Sequence, residues 1–211
     1  MKINIQDTVK SDILRNTKNH TMEVKKDDGL YRHLRFSNNG DCIYRYDLIT
    51  WPGNLVITGD MGSYHFARIE DMFHFFHSGT QAKELQEYKI NKGYWAEKLQ
   101  SGTATAFSMD VFKEVLWSYY EEREETSKEL KQEIEELIRS LDDNEIRAYD
   151  AASDFTWKGD FYFTDLWEHR FTEFTYRYLW CCYGIVYGIH WYNESKKNTD
   201  PGIVGWNTVE S

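Results

Sequence analysis

Asp60 stands between glycines in the run Gly59-Asp60-Met61-Gly62, a short distance after Trp51-Pro52-Gly53. A carboxylate at such a tip can act as a general acid, a metal ligand or an anchor for a cation. Tyr64, His65 and Arg68 follow closely and would add a hydroxyl, a base and a guanidinium. One reading is therefore a binding loop of Trp51, Asp60, Tyr64 and Arg68. The same residues fit two turns, in which glycine supplies positive φ or a close backbone approach and Asp60 caps its own backbone. Strand alternation puts Tyr64 and Arg68 on one face and His65 on the other, which works against a shared pocket. The phosphate-cradling patterns GxxxxGK[ST] and GxGxxG are both absent.

Other candidate chemistry is sparser. Glu70, His74 and His77 are spaced i, i+4 and i+7, so a helix would present them together as three potential zinc ligands. The opposite face carries Phe73 and Phe76, so the same three residues fit a solvated face. HExxH is missing and no cysteine pair lies nearby. Cys181 and Cys182 are adjacent within an apolar run, which suits buried, inert thiols. Cys42 makes the count odd, so no disulfide framework is expected, and a reducing compartment fits. His169 and His190 fall on what reads as the last helix, without a nucleophile motif such as GxSxG. No catalytic residue, metal or cofactor is expected.

The strongest electrostatic feature is acidic. Residues 110–154 hold fifteen Asp and Glu against six Lys and Arg. A solvated helical face explains such a run. A surface aimed at a positively charged partner explains it too, with Glu121, Glu122, Glu125, Glu129, Glu133 and Glu136 as its candidates. The whole chain of 211 residues has formal charge −10, which disfavours direct nucleic-acid binding, a process that depends on Lys and Arg at phosphates. Only Lys2, Lys10, Arg15, Lys18, Lys25 and Lys26 offer a basic stretch.

These residues need elements to hold them. Alternation in 31–36, 42–50, 54–58 and 63–69, broken by Asn38-Asn39-Gly40, Pro52-Gly53 and 59–62, predicts a four-stranded antiparallel meander. The period then changes to 3.6 at Ile69, Met72, Phe73 and Phe76, a helix that Gly79 would end. A short helix is expected near 94–99. Ser108 should cap a helix whose stripe is Phe112, Val115, Leu116 and Tyr119. Leu130, Ile134, Leu137, Ile138 and Leu141 form another stripe. The apolar-free stretch 121–128 marks either a break or a helix crossing solvent. Further helices are expected over 145–157 and, capped by Thr164, over 164–192, the latter apolar on most sides and central. The expected fold is α+β: residues 1–29 a loose arm, 30–106 the meander with a packed helix, 107–193 a helical bundle, and 194–211 a tail. Aromatic residues make up 17 % of the chain, enough for a full core with some surface left for a partner. No leader or membrane span is visible in the pattern.

Residues 50–76 read Thr-Trp-Pro-Gly-Asn-Leu-Val-Ile-Thr-Gly-Asp-Met-Gly-Ser-Tyr-His-Phe-Ala-Arg-Ile-Glu-Asp-Met-Phe-His-Phe-Phe. This run resembles a family of bacteriophage and prophage accessory proteins with the pattern T-W-P-G-x-L-x-I-x-G-D-M-G, then Y-x-F-x-R and D-M-F-x-F-F. Weaker similarity continues through 93–99 and 180–189. The resemblance implies a phage origin and action in the host cytoplasm. In that setting the expected function is binding of a host protein, such as a defence nuclease complex, in the manner of anti-CRISPR inhibitors; a homodimer is compatible with it. The alternatives are a small-ligand binder or enzyme using the Asp60 loop, and a nucleic-acid-binding regulator.

Overall fold

A computed structural model of the chain describes residues 5–77, 87–123 and 127–197. The fold is α+β. Residues 5–104 with 174–197 form one compact unit, and residues 105–173, between them in sequence, form a second.

Residues 5–28, expected to belong to a loose arm, are ordered elements. These are a helix, α1 (Ile5–Asn16), and a strand, β1 (Thr21–Asp28). The polar texture hides both. Helix α1 is held by two core residues one turn apart, Val9 and Ile13, too few to declare a period. Strand β1 is an edge strand. Only Met22 is buried on it, the register slips at a bulge between Val24 and Lys26, and residues 23–28 are all exposed. A bulge and charges are how proteins blunt a free sheet edge.

The sheet continues through β2 (Tyr31–Ser37), β3 (Tyr46–Trp51), β4 (Asn54–Gly59), β5 (Gly62–Ala67) and β6 (Leu99–Ser101), in sequence order. It is the expected meander with six strands rather than four. The third strand begins at Tyr46 and not at residue 42, because Tyr44 takes a left-handed φ of 52° that ends the alternation. Pairing is in register across the centre: Leu34 opposes Leu48, Leu48 opposes Ile57, and Ile57 opposes Tyr64. These residues, with Phe36, Tyr46, Leu55 and Phe66, form one buried face.

That face covers the long helix α7 (Tyr176–Lys197), which also packs on α1 and on α2 (Met72–His77). Fourteen of its residues are buried, around its whole circumference, as expected for a central helix. It starts twelve residues later than Thr164. Its cap is Thr175, whose Oγ1 accepts the Tyr178 N–H at 3.1 Å. Residues 164–175 instead form a 3₁₀ turn at Leu166–Glu168 and a short strand. Leu166 and Phe171 belong to the core of the second unit, and that ends the helical pattern. Much of the aromatic surplus is consumed around α7. Phe36 stacks on Tyr46 at 4.6 Å and on Trp191 at 5.8 Å, and Phe76 meets Trp95 at 4.8 Å. Trp95 lies on α3 (Lys92–Ala96), slightly before the expected position. Gly79 lies outside the described residues.

In the second unit, β7 (Thr105–Phe107) leads into α4 (Met109–Glu121), capped by Ser108 as its sequence indicated. Helix α5 (Lys128–Ser140) is separate and capped by Ser127, so the apolar-free stretch is a break. Helix α6 (Glu145–Ser153) stops short of residue 157 because Lys158 and Gly159 take positive φ and turn β8 (Thr156–Trp157) back onto β9 (Phe161–Tyr162). Strand β10 (Thr172–Phe174) pairs with β7. The core here is Phe112, Leu116, Leu130, Ile134, Ala148, Ala152, Phe161, Phe163, Leu166 and Phe171. Among the described residues no helix is long and apolar enough to cross a membrane.

Candidate functional site

The four residues of the Asp60 loop do not meet. Tyr64 points into the core and packs edge-on against Tyr178 at 5.6 Å. Trp51 lies on the opposite face of the sheet, beside His65 at 5.4 Å. Arg68 follows β5 and its N–H bonds the Gly53 carbonyl at 3.2 Å, at the β3–β4 end of the strands. Asp60 is at the other end. Its Oδ2 accepts the Tyr44 N–H at 2.9 Å, which fixes the left-handed residue before β3. The glycines are used as their spacing suggested: Gly53 and Gly62 have φ of 80° and 110°. A Cβ on Gly59 would fall 2.1 Å from the Arg45 carbonyl oxygen.

The remaining chemistry-bearing residues are dispersed. Glu70 precedes α2 and His74 is exposed on it; the side chain of His77 lies outside the described residues. Among the described residues no group of three His, Cys, Asp or Glu could hold a metal ion. Cys181 and Cys182 are buried, and burial pushes both thiols up, away from the reactive thiolate. His190 is on α7, where its Nδ1 meets the Tyr88 hydroxyl at 2.8 Å. His169 is not on that helix. It lies in the second unit, 3.0 Å from the Tyr119 hydroxyl. The basic stretch is largely offset by its own neighbours: Arg15 pairs with Asp12 at 2.5 Å, and Lys25 with Glu23 at 2.6 Å. Lys2 lies outside the described residues.

One cluster had no sequence signal beyond alternation. On the open face of the sheet, Asp47 is largely buried between His33 Nε2 at 2.7 Å and Arg35 Nε at 3.0 Å. Burial alone would raise this carboxyl, but the two hydrogen bonds outweigh it and hold the group below its ordinary value. Among the described residues no hydroxyl or thiol is hydrogen-bonded to His33, so the pair lacks a nucleophile to activate.

Charge is where the chain is asymmetric. Residues 105–173 hold nineteen acidic and eight basic residues, a net of −11, so the rest of the chain nets about +1. The acidity is therefore a property of the second unit. Glu129, Glu133 and Glu136 are exposed on α5, and their i, i+4, i+7 spacing gathers them on one strip. Lys128, Lys131 and Arg139 lie on another side of the helix, where Arg139 pairs with Glu135 at 3.4 Å. Among the described residues no cation pairs with Glu129, Glu133 or Glu136. Glu121 and Glu122 are exposed at the C-terminal end of α4, whose last turn has no basic residue. Carboxylates there oppose the helix dipole at a cost of roughly 0.3–1 kcal/mol each. Glu125 lies outside the described residues.

The same unit exposes large apolar side chains: Ile146 at 72 %, Trp167 at 71 % and Tyr162 at 58 %. Composition indicated surplus aromatic surface but not its position, since Trp167 sits in a stretch that reads as helix core. No family model, curated protein or solved structure matches the chain.

Proposed function

We propose that this protein acts by binding another protein, and that the acidic unit, residues 105–173, carries the contact. The observation that supports it is the concentration of a −11 charge in one unit, with the Glu129, Glu133 and Glu136 strip unneutralised by the fold. A partner that buries this surface must be basic, and proteins that hold nucleic acid present such surfaces. The resemblance of residues 50–76 to bacteriophage accessory proteins extends the reading: the partner is a host defence protein that handles nucleic acid, met in the bacterial cytoplasm. Inhibition then follows from occupancy of its nucleic-acid surface.

The test compares the wild-type chain with the triple variant E129Q/E133Q/E136Q in affinity purification from the host, beside a phage-restriction assay. Wild type should retain one stoichiometric basic partner and relieve restriction. The variant should keep its fold and retain about tenfold less, consistent with loss of charge pairing at an interface. Equal retention by both, or no partner with no relief of restriction, would falsify the proposal.

A further inference from the structure

The turn that carries Trp167 is built to hold an indole in water. Leu166 is buried and anchors it to the core. The Glu168 N–H bonds the Asp165 carbonyl at 2.9 Å, and the His169 N–H bonds the Leu166 carbonyl at 3.1 Å. The Tyr119 hydroxyl, from α4, clasps both ends, donating to the Thr164 carbonyl and meeting His169 Nε2 at 3.0 Å. His169 stacks on Phe171 at 6.1 Å, which fixes the far side. Asp165 takes a left-handed φ of 51°, a conformation that costs energy for any residue but glycine and that Asp and Asn tolerate best. Trp167 lies between Leu166 and Glu168 and is 71 % exposed. Folding gains little from an indole left in solvent, whereas Trp is among the residues enriched as interface anchors.

Carboxylates lie close to it in the chain. Asp165 and Glu168 flank Trp167 in the turn. Behind the turn, burial first and then the charges of Asp165, Glu122 and Glu168 push the Tyr119 hydroxyl up, so the clasp itself sits in an acidic setting. His169 and Arg170 follow the turn on its C-terminal side. An exposed indole in a turn that also carries Asp165 and Glu168, within a unit of net charge −11, matches a guanidinium, which stacks on an indole and pairs with carboxylates.

We propose that Trp167 is the anchor of a docking surface for an arginine-bearing basic segment of a protein partner, the guanidinium lying on the indole and pairing with Asp165 or Glu168. This rests on the reading of residues 105–173 as a protein-binding unit and names the contact within it. An Arg in that position is held by stacking as well as charge, so a Lys should bind less well.

The experiment uses a fluorescein-labelled arginine-rich peptide and its lysine-for-arginine counterpart, titrated with the full chain and followed by anisotropy at low and physiological salt. Wild type should bind the arginine peptide more tightly, and its Trp167 indole N–H resonance should shift on titration. W167A should lose about tenfold or more in affinity, as an anchor residue does, with an unchanged circular dichroism spectrum. D165N, which keeps a residue tolerant of the left-handed turn, combined with E168Q should weaken binding and its preference for arginine. W167A binding as well as wild type overturns the proposal. So do equal affinity for the two peptides, and a Trp167 resonance that moves with protein concentration alone, which would assign the surface to a second copy of the chain. The triple variant E129Q/E133Q/E136Q separates the two readings. Loss there without loss in W167A leaves acidic docking standing and removes Trp167; loss in W167A alone does the reverse.

Discussion

Gly184 and Gly188 both face the sheet from α7, and alanine at the two positions should have opposite effects. Glycine within a helix costs about 1 kcal/mol relative to alanine, so either substitution begins with that gain. The space around them decides the rest. At Gly184 a new Cβ would lie 3.2 Å from the terminal methyl of Ile57 and 3.5 Å from the Trp180 ring. A rotating methyl can give a few tenths of an ångström. At Gly188 the Cβ would lie 2.6 Å from Leu48 Cδ1 and 3.0 Å from Phe36 Cζ. Phe36 cannot retreat, because it is stacked between Tyr46 at 4.6 Å and Trp191 at 5.8 Å. Overpacking of this kind costs about 1–3 kcal/mol. G184A is therefore expected to be neutral or stabilised by up to about 1 kcal/mol, and G188A to be destabilised by up to about 2 kcal/mol. For a chain of this size that corresponds to a rise of at most about 4 °C and a fall of at most about 8 °C in Tm. Thermal and urea unfolding would measure both, with hydrogen exchange of α7 amides to assign the change to this unit. If G188A is as stable as G184A, the helix does not sit against β2 and β3 as described, and the packing argument fails.

Acid should weaken the same unit through its paired carboxylates. Burial pushes Asp27, Asp47 and Asp71 upward, and their hydrogen bonds to Lys196, Arg35 and Arg32 outweigh it, so each is held below its ordinary value of 3.8. A depressed carboxyl contributes stability that is present above the unfolded value and is lost as pH falls through the folded one. Urea midpoints should therefore fall below about pH 4. D47N should be less stable than wild type at neutral pH, with the gap closing in acid; a gap independent of pH would contradict this. Arg32 forks onto Asp71 at 2.8 and 3.0 Å, with its guanidinium 4.5 Å from the Phe73 ring. Both side chains are mostly buried, at 11 % and 18 % exposed, so R32M should cost about 2–4 kcal/mol in urea unfolding by stranding Asp71. R32K should recover less than half of that, since an ammonium cannot make the fork; full recovery would show that charge alone matters.

Local signals in the sequence were enough for the central strands, for Ser108 as a cap, for marking 121–128 as an apolar-free stretch though not for choosing a break there, and for the turn role of the glycines near Asp60. Each depends on neighbours within a few residues: alternation, a capping hydroxyl, a lack of apolar side chains, a φ that only glycine takes easily. The acidic run was equally plain, because charge is countable. Its confinement to one unit was not, because the boundaries at residues 105 and 173 become neighbours only through the pairing of β7 with β10. Helix α1 and strand β1 escaped for a related reason: two buried residues and a blunted edge make no period, and long-range packing on α7 and β2 holds them. The start of the last helix was misplaced because Leu166, Phe171 and Phe174 are apolar at plausible helical intervals. Hydropathy records that a side chain is to be buried and not in which core. Leu166 and Phe171 went to one unit and Phe174 to the other. That division left Trp167 with no core to enter, and only the folded chain could show it standing in solvent.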